Sequence, residues 1–182
     1  SVNVSPIQLQ DAQLLRTVSK ALASSRLQPS DLGVELTEST HVSDDPVSIG
    51  TLKGLQALGV HLEIDDFGMG YSSMLYVRRF RFSAIKLDGS LTREVLEDSN
   101  CRDIISSVVQ LGAALGIQVV AEYVETRAQQ RALEALGCDA FQGYLYSPAL
   151  AADACLHYLK QHATVRVFGE PSVFPDGVVL QT

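Results

Sequence analysis

Val60-His61-Leu62-Glu63-Ile64-Asp65-Asp66-Phe67-Gly68-Met69-Gly70-Tyr71-Ser72-Ser73 is the stretch on which the reading of this chain turns. Its first five residues, Val60–Ile64, alternate apolar and polar side chains among β-formers and predict a short strand. Two adjacent aspartates close that strand, and a small, polar, glycine-bearing segment follows as a loop. Neighbouring carboxylates repel unless a cation lies between them, so Asp65-Asp66 reads either as a bridge between two metal ions or as a simple turn before Gly68. Gly68 and Gly70 supply two glycines of a dinucleotide-binding loop. The third is absent and two aspartates precede them, which argues against that reading.

Outward from this point, strand-like runs alternate with helical patterns along the chain. The other predicted strands are Val2–Val4, Gly33–Thr37, Ala84–Asp88, Ile117–Ala121 and Ala140–Tyr144. Apolar residues three and four apart predict helices over Pro6–Leu27, Asp103–Leu115, Arg127–Leu136 and Leu150–Leu159. Ser5-Pro6 and Ser147-Pro148 read as helix starts, and Gly59, Gly116 and Gly137 as C-caps. Strand–helix alternation implies parallel strands joined by crossover helices, hence an α/β fold. Six units suit an open doubly wound sheet, whereas a closed eight-unit barrel takes roughly 250 residues. Periodicity alone leaves that choice open. Thr164–Thr182 breaks the rhythm with Pro171, Pro175 and Gly177 and is expected to form an irregular C-terminal tail.

Composition excludes several classes. With 182 residues and 46% hydrophobic content, the chain can bury a sizeable single core and is not a disordered or collagen-like sequence. Its formal charge of −7 gives no general attraction to DNA, RNA or anionic lipid, so a phosphate ligand must be held locally. No apolar run reaches the ~20 residues that span a bilayer, and the opening Ser1-Val2-Asn3-Val4 reads like mid-domain sequence rather than a leader. Cys101, Cys138 and Cys155 are odd in number and lack metal-ligand spacing, which suits a reducing cytoplasm.

Polar residues recur in or at the ends of these strands: Asn3, Glu35, Asp65-Asp66, Lys86, Glu122 and Gln142. Each has an ordinary explanation by itself, such as an outward-facing strand residue or a solvated turn. In a parallel α/β fold, however, C-terminal strand ends converge on one rim, and all of them would then face one pocket. Carboxylates and an amide make a hard oxygen site for Mg²⁺ or Mn²⁺. Lys86 and Glu122 would remain to stabilise charge and activate water in phosphoryl transfer.

The motifs carry a family resemblance. They are Val2-Asn3-Val4-Ser5-Pro6-Ile7-Gln8-Leu9, Glu35-Leu36-Thr37-Glu38-Ser39, Asp65 to Ser73, Ile85-Lys86-Leu87-Asp88, Ala121-Glu122-Tyr123-Val124-Glu125-Thr126 and Gly137 to Tyr144. In this order and spacing, over about residues 2–150, the chain resembles the greater part of an EAL domain, the bacterial phosphodiesterase of cyclic di-GMP. The resemblance implies a TIM-like (β/α) barrel with an antiparallel first strand, occupying residues 1–163 here. It also implies two divalent cations, Mg²⁺ or Mn²⁺, with Asn3, Glu35 and Asp65 on one and Asp65 and Asp66 on the other. Water would attack one phosphodiester of cyclic di-GMP in line to leave linear pGpG. Lys86 would hold the attacking water and phosphate charge, Glu122 would act as general base or orient that water, and Gln142 would lie near the second metal and the substrate. Glu38 would anchor the loop Phe67–Ser73, with Gly68 and Gly70 shaping it, and Glu125 would support the same rim. That loop is the expected contact of a homodimer, and sensor or cyclase domains are the expected upstream neighbours.

The sequence also departs from the family pattern. The name-giving Glu-Ala-Leu stretch, whose Glu is a metal ligand, is absent, so the first strand and following segment are expected to be missing from this chain. Tyr123 stands where the family has Gly, and Phe80-Arg81-Phe82-Ser83 replaces a usual Leu-Pro-x-Asp. The leading expectation is a cyclic di-GMP phosphodiesterase domain, with impaired activity in this chain. The alternative is an inactive module that binds cyclic di-GMP as a receptor.

Overall fold

Gly33-Val34-Glu35-Leu36-Thr37 forms the second of six parallel strands, and its alternation organises the others. The computed structural model describes residues 1–38, 45–68, 77 and 79–162. The strands are β1 (Val2–Asn3), β2 (Gly33–Thr37), β3 (His61–Phe67), β4 (Ala84–Leu87), β5 (Gln118–Ala121) and β6 (Ala140–Phe141), paired in that order. Every pair is parallel. Among the described residues the sheet is an arc, with β1 and β6 as its outer strands.

The described helices are α1 (Pro6–Leu9), α2 (Leu14–Ser25), α3 (Pro46–Leu58), α4 (Gly89–Glu94), α5 (Ser99–Leu115), α6 (Arg127–Leu136) and α7 (Ala152–His162). Their ends follow local chemistry. Ser5 and Gln8 make a capping box with Pro6 in the first turn of α1. Thr126 and Gln129 do the same for α6, while Asp45 and Asp98 accept backbone amides at the starts of α3 and α5. Gly59, Gly116 and Gly137 take left-handed conformations that close α3, α5 and α6, as expected from the sequence.

The core lies between one face of the sheet and the helices. Val34, Leu36, Leu62, Ile85, Leu87 and Val119 meet Leu52, Leu55, Ile105 and Leu133 there, all of them buried. Burying side chains of this size stabilises the fold by about 1.5–3 kcal/mol each. Phe80 and Phe82, from the unusual Phe-Arg-Phe-Ser stretch, pack edge-to-face with ring centroids 6.5 Å apart. Ser83 bonds to the Leu62 carbonyl through both its amide and its hydroxyl, so this segment seals the lower end of the β3–β4 pair.

Several sequence expectations need correction. The single helix expected over Pro6–Leu27 is two helices, because the Asp11 side chain accepts the Gln13 amide at 2.8 Å and turns the chain between them. Helix α7 starts at Ala152 rather than beside Ser147-Pro148. Helix α3 is expected only through its C-cap, Gly59, with no range of its own, and α4 has no counterpart in the expected set. The third strand does not end before the aspartates but runs through them to Phe67. Gly70, most of the loop Phe67–Ser73 with its expected dimer contact, and the tail Thr164–Thr182 lie outside the described residues. No described helix is long and apolar enough to cross a membrane.

Candidate active site

Register explains how residues far apart in sequence come together. Asn3 pairs with Glu35, and Thr37 pairs with Asp65, so β1, β2 and β3 present their polar residues near one end of the sheet. Between β3 and β4 the pairing passes from Ile64–Ile85 to Phe67–Leu87, so Asp65 and Asp66 together oppose Lys86. This is a β-bulge. Successive side chains on a regular strand point to opposite faces, but Asp66 adopts a left-handed backbone, with φ of 54°. Aspartate tolerates that conformation better than most residues. The bulge thus lets both carboxylates line one cavity.

Lys86 sits at the centre, 2% exposed. Its ammonium lies 2.8 Å from Glu122 Oε1, 3.0 Å from Glu35 Oε1 and 3.3 Å from Asp65 Oδ1. Burial alone would lower the Lys86 pKa, but the charges of Glu122, Asp65 and Glu35 outweigh it and hold the ammonium above its ordinary value. Burial raises Glu122 to about 7, against the opposing charge of Lys86 and with further help from Asp65. Asp66 is also raised, by burial first and then by the charge of Asp65. Ser1 adds a hydroxyl that donates to Glu35.

Glu122 and Gln142 each lie one residue beyond their strands, β5 and β6. Gln142 donates its amide to the Ala121 carbonyl, Val124 donates to Gln142, and Leu145 donates to Val124. Gly143 lets these two backbones touch, because a Cβ there would fall 2.3 Å from the Val124 amide nitrogen and carbonyl oxygen. The Gln142 side-chain oxygen is buried in the cavity wall and has no hydrogen-bond partner among the described residues.

The remaining expected residues flank this centre. Glu38 accepts the Gly68 amide at 2.6 Å, and its own amide donates to the Asp65 carbonyl, tying the β2 end to the β3 end. Glu125 is exposed at the start of α6, on the cavity rim. All of Asn3, Glu35, Asp65, Asp66, Lys86, Glu122, Glu125 and Gln142 line one cavity of about 690 Å³.

The oxygens of Asp65, Asp66 and Glu122 lie within 4.8 Å of one another. Four carboxylates, counting Glu35, face one ammonium, which leaves a desolvated excess of negative charge. Such an arrangement favours added cations, and an all-oxygen donor set with one amide suits hard divalent ions. The residues present therefore fit a divalent metal site. Sequence reasoning assigned no role to Arg93, Tyr144 or Tyr146, which also line the cavity. Arg93 sits on the unforeseen helix α4. Tyr144 closes the strand expected over Ala140–Tyr144, but β6 ends at Phe141, and Tyr146 follows in a run with no strand or helix period to place it.

Comparison with known proteins agrees with this geometry. The EAL domain family model matches residues 1–149. The chain belongs to the EAL domain family. It is 43% identical to the bifunctional diguanylate cyclase/cyclic di-GMP phosphodiesterase MucR of Pseudomonas aeruginosa, over 86% of this chain and 23% of that protein. It is 38% identical to the cyclic di-GMP phosphodiesterase RocR of the same organism, over 86% of this chain and 40% of that protein. Among solved structures, the MucR phosphodiesterase in complex with c-di-GMP superposes with a TM-score of 0.79, covering 85% of this chain and 62% of that one at 43% identity. The EAL domain of Mycobacterium smegmatis DcpA gives 0.82, with 87% and 71% covered at 33% identity. The Klebsiella pneumoniae BlrP1 manganese/cy-diGMP complex gives 0.75, with 81% and 38% covered at 34% identity. The chain thus spans less than half of these two relatives' length. Its six parallel strands are an arc of the TIM-like EAL barrel.

Within this EAL domain, Tyr123 adopts φ of 55°, a left-handed conformation that suits glycine. The tyrosine is therefore a strained occupant of this position. Its ring lies against the first turn of α4, where a Cβ on Gly89 would come 2.4 Å from Tyr123 Cδ2.

Proposed function

We propose that this EAL domain hydrolyses one phosphodiester bond of cyclic di-GMP to give linear pGpG, using two divalent cations, Mg²⁺ or Mn²⁺. The observation that carries this reading is the buried Lys86 ammonium held by three carboxylates, with Asp66 beside them, in a cavity large enough for a nucleotide ligand. Asn3, Glu35 and Asp65 would hold one cation, and Asp65 and Asp66 the other. When bound, the pair supplies positive charge to the phosphate oxygens and acidifies water. Lys86, fully protonated at neutral pH, neutralises charge that grows on the phosphate during in-line attack. Glu122, with a pKa of about 7, is matched to take a proton from the attacking water. Gln142 offers a buried oxygen, unpartnered among the described residues, to orient water or ligand. Glu38 holds the start of the loop through Gly68, and that loop would form the contact of a homodimer. Glu125 would support the same rim. Sensor or cyclase domains attached to the parent chain agree with the small share of its relatives that this chain covers. Three buried, unlinked thiols suit a cytoplasmic setting.

Incubation of the 182-residue chain with Mn²⁺ and cyclic di-GMP, followed by chromatography, tests the proposal. Slow release of pGpG is expected, in line with the impaired activity expected of this chain, with Glu122→Gln lowering the rate by roughly a further 10²–10⁴-fold. Binding without cleavage would select the receptor reading, and undiminished cleavage by Asp65→Asn would refute the assigned site.

A further inference from the structure

We infer that Tyr123, braced by Arg93, is a stacking platform for one purine base of the cyclic dinucleotide and thereby sets the affinity of the site. The inference rests on the proposed phosphodiesterase reading and adds a base-recognition element to it. The polar residues at the cavity centre, Glu35, Asp65, Asp66, Lys86 and Glu122, suit cations and phosphate and offer nothing to a flat aromatic base. Tyr123 follows Glu122 directly, lines the same cavity, and keeps 53% of its surface exposed.

The ring is held in place. The Arg93 guanidinium carbon lies 5.4 Å from its centroid, within cation–π range. Gly89, one helical turn before Arg93, leaves open the space that the ring edge occupies. Both contacts come from helix α4, so the exposed part of the ring is left to the cavity. A side chain at φ of 55° is costly, and such strain persists where the surroundings enforce it, often at ligand sites. Here the enforced result is an aromatic face at the mouth of a phosphate-binding cavity. Every nucleobase has a π-face, and a nearby Arg fork matches the O6/N7 edge of guanine. Tyr144 is also on this rim, but among the described residues it makes no ring or cation contact, whereas Tyr123 is braced by Arg93.

The test compares wild type, Tyr123→Gly and Tyr123→Phe as the 182-residue chain in Ca²⁺. Glycine accepts the left-handed backbone, so Tyr123→Gly should fold, and a thermal melt checks that it does. Calorimetry with cyclic di-GMP should show Kd raised about tenfold or more in Tyr123→Gly and within twofold of wild type in Tyr123→Phe. A cyclic dinucleotide carrying 2-aminopurine should be quenched on binding to wild type and Tyr123→Phe, and not on binding to Tyr123→Gly. Equal or tighter binding by Tyr123→Gly, with quenching intact, would overturn this inference alone. Absence of any dinucleotide binding by wild type would overturn the phosphodiesterase reading and this inference with it.

Discussion

Replacing Lys86 with methionine tests the electrostatic account of the site. Methionine nearly matches the length of the lysine stem, so little packing is lost. What disappears is an ammonium 2.8, 3.0 and 3.3 Å from three carboxylate oxygens. Removing one partner of a buried ionic group costs about 3–5 kcal/mol, because the charges left behind are desolvated and uncompensated. For a chain of this size each kcal/mol shifts the melting temperature by about 2–4 °C. The metal-free variant should therefore melt about 6–20 °C below wild type at pH 8. Protons can replace the missing charge. Glu122 already sits near 7 with Lys86 present, and without it the carboxylates take up protons more readily. The deficit should accordingly narrow as pH falls from 8 to 5. Melts followed by circular dichroism in EDTA at both pH values decide the matter. A variant within about 2 °C of wild type at pH 8, or a deficit that widens at pH 5, would refute the reasoning.

Two further outcomes follow from the same geometry. Glu122 has a folded pKa of about 7 against 4.5 for the free side chain, so the native state holds an extra proton between those values. The contribution of Glu122 to metal-free stability should therefore be fully present below pH 4.5 and be lost as pH rises through 7, by up to about 1.4 kcal/mol per pH unit. The raised pKa values of Asp66 and Glu63 act in the same direction. Glu122→Gln should flatten the slope in melts taken from pH 5 to 8, and an unchanged slope would count against the assignment. Gly143→Ala should destabilise the chain by about 1–3 kcal/mol, because its Cβ would strike the Val124 backbone. A denaturant midpoint equal to wild type would show that these two segments do not touch.

The strands were the most legible part of this chain because short β-branched runs between turn residues have few other readings. Gly33–Thr37 forms over the expected residues, and Ala84–Asp88 loses only Asp88, whose side chain caps α4. The Asp65-Asp66 pair was legible as chemistry but not as geometry. A bulge with one residue left-handed is a tertiary outcome of pairing with β4, and no local pattern encodes it. Helix α3 was obscured by Gly50 and Gly54, which dilute its apolar stripe, and α4 is too short to show a period. That helix carries Arg93 and Gly89, so the seat of Tyr123 could not be read from the motif beside Glu122. Lys86 was expected near phosphate and water. Its full burial among three carboxylates follows from the convergence of β2, β3, β4 and the end of β5, which only the sheet register supplies.

Anomalous diffraction at the manganese edge, from crystals of this chain soaked in Mn²⁺ and cyclic di-GMP, examines the central claim most directly. The account predicts manganese peaks in contact with the carboxylates of Asp65 and Asp66, with a dinucleotide phosphate against them and Lys86 nearby. Manganese found only elsewhere, such as at the group Glu94, Asp98 and Cys101, or a dinucleotide seated away from Lys86, would contradict it.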